Sequence, residues 1–101
     1  MNSYRYRITV EKLADAKGEP VDGQSLSFYA ANHDDILEIV NRMKERLPFD
    51  AATAASLGVG LKLFSEVMLV HRDEPLFAEI RPAIGGFIKL LKQPAQESAA
   101  S

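Results

Sequence analysis

The longest apolar stretch of the sequence runs from Asp50 to Val70, DAATAASLGVGLKLFSEVMLV. Its large apolar residues recur at helical spacing, and Asp50 is a residue type that caps helix N-termini. We therefore predict one central helix that needs cover on two faces, from the hairpin and first helix on one side and the C-terminal helix on the other. The two apolar stripes are Leu57, Leu61, Phe64 and Met68, and Val59, Leu63, Val67 and Val70.

Two glycines interrupt this predicted helix, at Gly58 and Gly60. Each glycine in a helix interior costs roughly 1 kcal/mol relative to alanine, so both need a reason. We interpret them as points where another helix or an aromatic ring approaches closely. A phosphate-binding glycine loop would need a third glycine where Leu63 stands. A small-ligand pocket near Gly58/Gly60 is the alternative hypothesis.

Two N-terminal segments alternate between apolar and polar residues, which is typical of strands with one buried face. Residues 14–23 between them carry two glycines, a proline and two aspartates and predict a loop. We expect an antiparallel hairpin whose apolar face packs against helices, with pairing of an edge strand to a second subunit as the alternative. The apolar positions are Tyr4, Tyr6, Ile8 and Val10 in the first segment, and Leu26, Phe28 and Ala30 in the second.

Two further helical patterns flank the central one. The first opens near Asn32, the expected cap, and stops at Pro48. The C-terminal pattern opens near Asp73 and should break or kink near Pro82, which leaves a last helix over residues 82–92. The predicted fold is α+β, an N-terminal antiparallel β-hairpin followed by three helices (β-β-α-α-α). We expect a single domain over residues 1–92 and a flexible polar tail over residues 93–101.

Composition excludes several kinds of function. The chain of 101 residues has no cysteine, which rules out disulfides, thiol catalysis and cysteine-based zinc sites. A net charge of −2 argues against nucleic-acid binding. The motif Tyr4-Arg5-Tyr6-Arg7 does not change this expectation, because alternation sends tyrosines and arginines to opposite faces. With no signal peptide and no uninterrupted apolar run of membrane-spanning length, we expect a cytoplasmic protein without membrane contact or cofactors.

Two clusters of histidines and carboxylates are the candidates for chemistry. They are His33, Asp34 and Asp35 in one segment and His71 and Asp73 in another. Together they could bind a metal ion, or a histidine could act with a carboxylate in acid/base catalysis. Adjacent residues rarely point at one ion, however, and the aspartates have ordinary uses at helix N-termini. We predict no catalytic or metal site, and an enzyme using His33 or His71 is our third hypothesis.

The sequence carries more large apolar residues than a monomer of this size needs for its core, and an exposed remainder would mark a protein interface. We therefore predict a non-catalytic interaction or accessory protein that acts through an apolar surface, as a homodimer or with an unknown protein partner. The candidate interface comprises Leu69, Val70, Leu76, Phe77, Phe87, Leu90 and Leu91.

Four segments carry a resemblance to a known family: YRYRITVEKL, NHDDILEIV, GLKLFSEVML and RDEPLF. With them the chain resembles a small family of uncharacterised single-domain bacterial proteins, classed only as a domain of unknown function. The resemblance spans nearly the whole chain except the tail. It implies a bacterial cytoplasmic protein with a hairpin-plus-helices fold, and it brings no catalytic or binding residues.

Overall fold

A computed structural model of the protein describes residues 2–92. The elements in order are β1 (Tyr4–Glu11), β2 (Ser25–Asn32), α1 (Ile36–Arg46), α2 (Ala51–Val70), a 3-10 turn (Pro75–Phe77) and α3 (Arg81–Lys92). The predicted α+β class and element order are confirmed. The chain divides into an N-terminal unit, which ends at Asp34, and a helical unit, which begins at Asp35. A single domain over residues 1–92 stays a prediction, and the predicted tail, residues 93–101, lies outside the described residues.

The N-terminal unit is an antiparallel hairpin. Pairing runs from Tyr4 opposite Asn32 to Glu11 opposite Ser25, so β2 continues two residues beyond its expected end at Ala30. The ladder extends irregularly towards the loop, because the Lys12 amide donates to the Gln24 carbonyl at 2.9 Å. The register therefore sets Ile8 beside Phe28 on the apolar face.

The polar face of the hairpin is held by contacts between its own side chains. The Arg7 guanidinium lies 5.8 Å from the centre of the Tyr29 ring, a cation–π contact. The hydroxyls of Thr9 and Ser27 are hydrogen-bonded at 2.8 Å. Within the Tyr4-Arg5-Tyr6-Arg7 motif, Arg7 thus has a structural partner across the strands.

The apolar face of the hairpin is less buried than its pattern predicts. Tyr4 is 50% exposed, Val10 and Leu26 are each 60% exposed, and Phe28 is 39% exposed. These four side chains are therefore exposed, and packing of this face against the helices stays a prediction. Period-2 alternation identifies the apolar face of a strand, but it does not determine how much of that face other parts of the protein bury.

Asn32 caps no helix, contrary to the sequence prediction. It ends β2 opposite Tyr4, is only 1% exposed, and its side-chain oxygen accepts the Asp34 amide at 3.0 Å. The N-cap of α1 is Asp35, whose carboxylate accepts the Glu38 amide at 3.3 Å. Pairing with β1 keeps Asn32 extended, so the helix can begin only after it.

The helical unit is organised by α1 and α2. The buried side chains of α1 are Ile36, Val40 and Met43, which follow the predicted stripe. The buried residues of α2 are Ala54, Gly58 and Met68. Because Ala54 and Gly58 lie one helical turn apart, they present one face of α2 to its neighbour.

The C-terminal half of α2 is less covered than predicted, although Val59 and Leu63 of the second stripe are half-buried. Phe64 is 37% exposed, Val67 47%, Leu69 48% and Val70 64%. By length and composition alone, α2 is the one helix within residues 2–92 that could cross a membrane. Core helices of soluble proteins pass the same test, and Lys62 and Glu66 interrupt the apolar surface near the middle of this helix.

The C-terminal region breaks close to Pro82, as predicted. The N-cap position of the 3-10 turn is Glu74, without a side-chain hydrogen bond, so Asp73 is not the cap expected from the sequence. Pro82 is the second residue of α3, where a helix has no use for an amide hydrogen. The rings of Phe64 and Phe77 meet edge to face at 6.1 Å and 74°, which ties the 3-10 turn to α2.

Asp50 caps α2 as predicted, with its carboxylate accepting the Thr53 amide at 2.9 Å. Hydrogen bonds from the Thr53 side chain, and secondly from its backbone, lower the pKa of Asp50 below its ordinary 3.8. A lowered folded-state pKa means that the stabilisation is complete above the ordinary value. It is lost as the pH falls through the lowered folded-state pKa.

We predict that Asp50→Ala lowers the melting temperature at pH 7, and that the difference from the parent shrinks below about pH 4. Thermal denaturation followed by circular dichroism over pH 2–7 measures both. Asp50→Asn is the control, because asparagine caps equally well but does not titrate. An Asp50→Ala variant as stable as the parent at pH 7 would contradict the capping role.

Candidate functional site

The histidine and carboxylate candidates lie in two separate segments. His33 and Asp34 follow β2 and are exposed, and His71 and Asp73 follow α2 and are also exposed. Asp35 is the N-cap of α1. Among residues 2–92, no group of three or more histidine, aspartate or glutamate side chains is placed to hold a metal ion. The hypothesis of a metal site therefore gains no support from the geometry.

Backbone contacts give these segments structural roles. The carbonyl of Asp34 accepts the Tyr6 hydroxyl at 3.1 Å, which fastens the exit of β2 to β1. The His71 amide donates to the Val67 carbonyl at 3.0 Å, and the His71 carbonyl accepts the Glu74 amide at 3.0 Å. These bonds end α2 and turn the chain towards Pro75.

An open cleft of about 310 Å³ lies at this turn, lined by Val70, His71, Arg72, Asp73 and Glu74. All five residues are exposed. Binding sites for small molecules are usually enclosed and mainly apolar, with a few convergent polar groups. This cleft instead offers mixed charges in contact with water, where each interaction is weak. The cleft therefore does not place His71 and Asp73 in an enclosed binding site.

Gly58 is a point of helix contact, as predicted. A Cβ atom added there would lie 2.9 Å from both the Val40 Cγ2 atom and the Met43 Sδ atom of α1. Gly60 differs, since it is exposed and an added Cβ would meet nothing within 4 Å. The predicted contact at Gly60 is therefore wrong. Two residues along a helix turn the side chain by roughly 200°, so both glycines cannot face α1.

The same geometry bears on the ligand hypothesis. The space beside Gly58 is occupied by the side chains of Val40 and Met43. Gly60 lies on an open surface, without surrounding side chains to enclose a ligand. A pocket for a small molecule near Gly58/Gly60 thus gains no support from the described residues.

The candidate interface of the sequence analysis lies on the helical unit and is largely open to solvent. Leu76 is 76% exposed, Val70 64%, Leu90 63% and Leu69 48%, and Phe87 is 38% exposed. Phe77 and Leu91 are half-buried. Sequence reasoning missed Phe64 and Val67, which it assigned to the core and which the structure leaves 37% and 47% exposed.

Comparison with known proteins places the chain in a family. A model of DUF3861, a domain of unknown function with solved structure, matches residues 4–93. The protein belongs to the DUF3861 family. The resemblance stated from the sequence is thereby confirmed, and DUF3861 has no function assigned that could be transferred.

One solved structure shares the fold of this DUF3861 chain. It is a protein of unknown function from Pectobacterium atrosepticum, with 31% sequence identity and a TM-score of 0.79. The match covers 92% of this chain and 100% of that chain. No curated protein matches the sequence significantly. The hairpin-plus-helices arrangement is therefore shared with this related protein.

The contrast between the two glycines gives a matched pair of variants. We predict that Gly58→Ala destabilises the protein by about 1 kcal/mol or more, because Val40 is branched and stiff and must move to admit the methyl group. Gly60→Ala should be neutral or stabilising by up to about 1 kcal/mol, because alanine favours helix and meets no neighbour. Urea denaturation of both variants and the parent measures the free energy of unfolding. Equal effects at the two positions would contradict the assigned helix contact.

Proposed function

We propose that this protein is a non-catalytic interaction module of the cytoplasm, which forms a homodimer through an apolar surface of its helical unit. One observation carries the proposal: large apolar side chains that are regularly spaced along helices lie open to solvent. Contiguous exposed apolar surface marks interaction sites in proteins that otherwise stay in solution. No described cluster of polar residues offers a competing site.

The balance between buried and exposed apolar side chains supports this proposal. In the helical unit the buried large side chains are Ile36, Val40, Met43 and Met68. Large apolar side chains left exposed in the same unit are more numerous. They are Leu37, Phe49, Phe64, Val67, Leu69, Val70, Leu76, Ile80, Phe87 and Leu90. Burying one such side chain fully contributes roughly 1.5–3 kcal/mol of stabilisation. Association that buries these exposed side chains would therefore stabilise a complex.

A second copy is the partner that fits the proposal with the fewest assumptions. Most soluble assemblies are homo-oligomers, and two-fold dimers are the commonest among them. In a two-fold dimer the same surface occurs on both chains, so an apolar patch on one chain meets the same patch on the other. A chain near 100 residues also buries a modest share of its own surface and gains from such cover.

A lipid bilayer is a less suitable cover for α2. Lys62 lies near the middle of the helix, and a lysine at the centre of a membrane span costs roughly 2.5–3.5 kcal/mol. In a protein interface such side chains can reach the rim and water. This difference supports a protein partner and a cytoplasmic setting.

We predict that Leu76→Lys shifts the protein from dimer towards monomer. A charged group at an apolar interface must lose its hydration without gaining a partner. Sedimentation equilibrium from about 1 to 300 μM, a range that detects micromolar dissociation constants, measures the shift.

Leu37→Lys is the matched control, since Leu37 is 67% exposed on α1 and lies outside the proposed interface, whereas Leu76 is 76% exposed. The control should dimerise like the parent. A parent protein that is monomeric throughout the concentration range would overturn the proposed homodimer.

A further inference from the structure

Helix α3 carries two apolar faces. Ile84, Ile88 and Leu91 are half-buried and form the face that is partly covered within the chain. Ala83, Gly86, Phe87 and Leu90 follow the spacing i, i+3, i+4 and i+7 and form a second stripe, which is exposed. Phe87 is 38% exposed and Leu90 63% exposed. We call these four residues the outer stripe of α3.

Among residues 2–92, no contact explains Gly86, inside the outer stripe, or Gly85, on the opposite side of α3. A Cβ atom added to Gly86 would meet nothing within 4 Å. Glycine in a helix interior costs roughly 1 kcal/mol relative to alanine. At Gly58 the close approach of α1 accounts for this cost, because an added Cβ there would lie 2.9 Å from two side-chain atoms. Gly86 differs from Gly85 because Phe87 and Leu90 lie exposed beside it, and within the part of the chain that the structure describes no second helix covers them.

We propose that α3 packs antiparallel against α3 of a second copy across a two-fold axis, with the outer stripe at the centre. The proposal rests on the homodimer proposed above and assigns its central contact. In the register that sets Phe87 against the partner's Gly86, Leu90 falls against the partner's Ala83. Each large side chain then meets a small one, which is the complementarity that close helix packing requires.

Charge favours the antiparallel orientation. Glu79 precedes α3, and Lys89 and Lys92 lie in its last turn. Lys92 lies on the same side of α3 as Arg81, away from the outer stripe, so Lys89 is the lysine that borders the contact. Antiparallel packing separates the two Lys89 side chains and turns each towards the end of the partner helix that follows Glu79, whereas parallel packing would bring the two Lys89 side chains together. The helix dipoles favour the same orientation. Arg81 does not oppose it, because it lies on the other side of α3, where its Nη2 atom is buried.

The size of α3 sets the expected strength of the contact. Its 12 residues span about 18 Å. One stripe of this length covers only part of the roughly 800 Å² per partner that a standard interface buries. We therefore expect a dimer that dissociates on dilution.

Gly86→Leu and Gly85→Leu form a matched test. Neither position has a neighbour within 4 Å of an added Cβ, and leucine favours helix over glycine, so both variants should remain helical. Gly85 lies on the side of α3 away from the outer stripe. We expect Gly86→Leu to weaken dimerisation at least about tenfold, because the new side chain displaces the partner's Phe87, and Gly85→Leu to leave it unchanged.

Sedimentation equilibrium on the parent and both variants separates the outcomes. If the parent dimerises and the two variants dimerise equally well, the α3 contact is overturned while the homodimer stands. A monomeric parent at every concentration overturns both proposals. Circular dichroism verifies that each variant remains helical.

Cysteine cross-linking tests the orientation, since the sequence has no cysteine. Ala83→Cys and Leu90→Cys are made in separate chains of different mass, mixed and oxidised mildly. Antiparallel packing predicts mainly the mixed disulfide between positions 83 and 90, whereas parallel packing would give disulfides between identical positions. Leu37→Cys measures cross-linking by random collision, and a mixed yield no higher than that control would overturn the proposed register.

Discussion

The close contact between α1 and α2 at Gly58 is the constraint on which the helical unit depends. Because Gly58 has no Cβ atom, the side chains of Val40 and Met43 reach the backbone of α2. Ala54, one turn earlier on the same face, has a small side chain and also allows close approach. Two of the buried side chains of α1 are thereby committed to this one contact, and Ile36 is the third buried side chain of that helix. Elsewhere on α2, Val67 and Val70 stay open to solvent.

Apolar side chains are also exposed on other parts of the helical unit. Phe87 and Leu90 on α3, like Val67 and Val70 on α2, are spaced as core residues yet remain exposed. Burial of such side chains is the main driving force of both folding and association. A second copy would convert the exposed faces into an interior, and would give Gly86 the close neighbour that Gly58 has within its own chain.

Sequence patterns predicted local structure well where a single element decides it. The Asp50 cap depends on residues three apart, and β1 on strict alternation. The residue types around the start of α1 predict Asn32 as its cap, but the cap is Asp35, because pairing with β1, which is not local, holds Asn32 in the strand. An apolar pattern likewise predicts which side chains tend to be buried, but it does not predict which other residues bury them. That is why burial of α2 and the separate roles of Gly58 and Gly60 needed the structure.

The proposed homodimer requires a second copy to cover the exposed apolar surface of the helical unit. An isotope-filtered nuclear Overhauser experiment tests it most directly, on a mixture of ¹³C-labelled and unlabelled chains at a concentration of several hundred micromolar. We expect intermolecular contacts from the Leu90 methyl groups to the other copy, and none from Leu37 on α1. Absence of any intermolecular contact from Leu90, Leu76 or Val70 would contradict it.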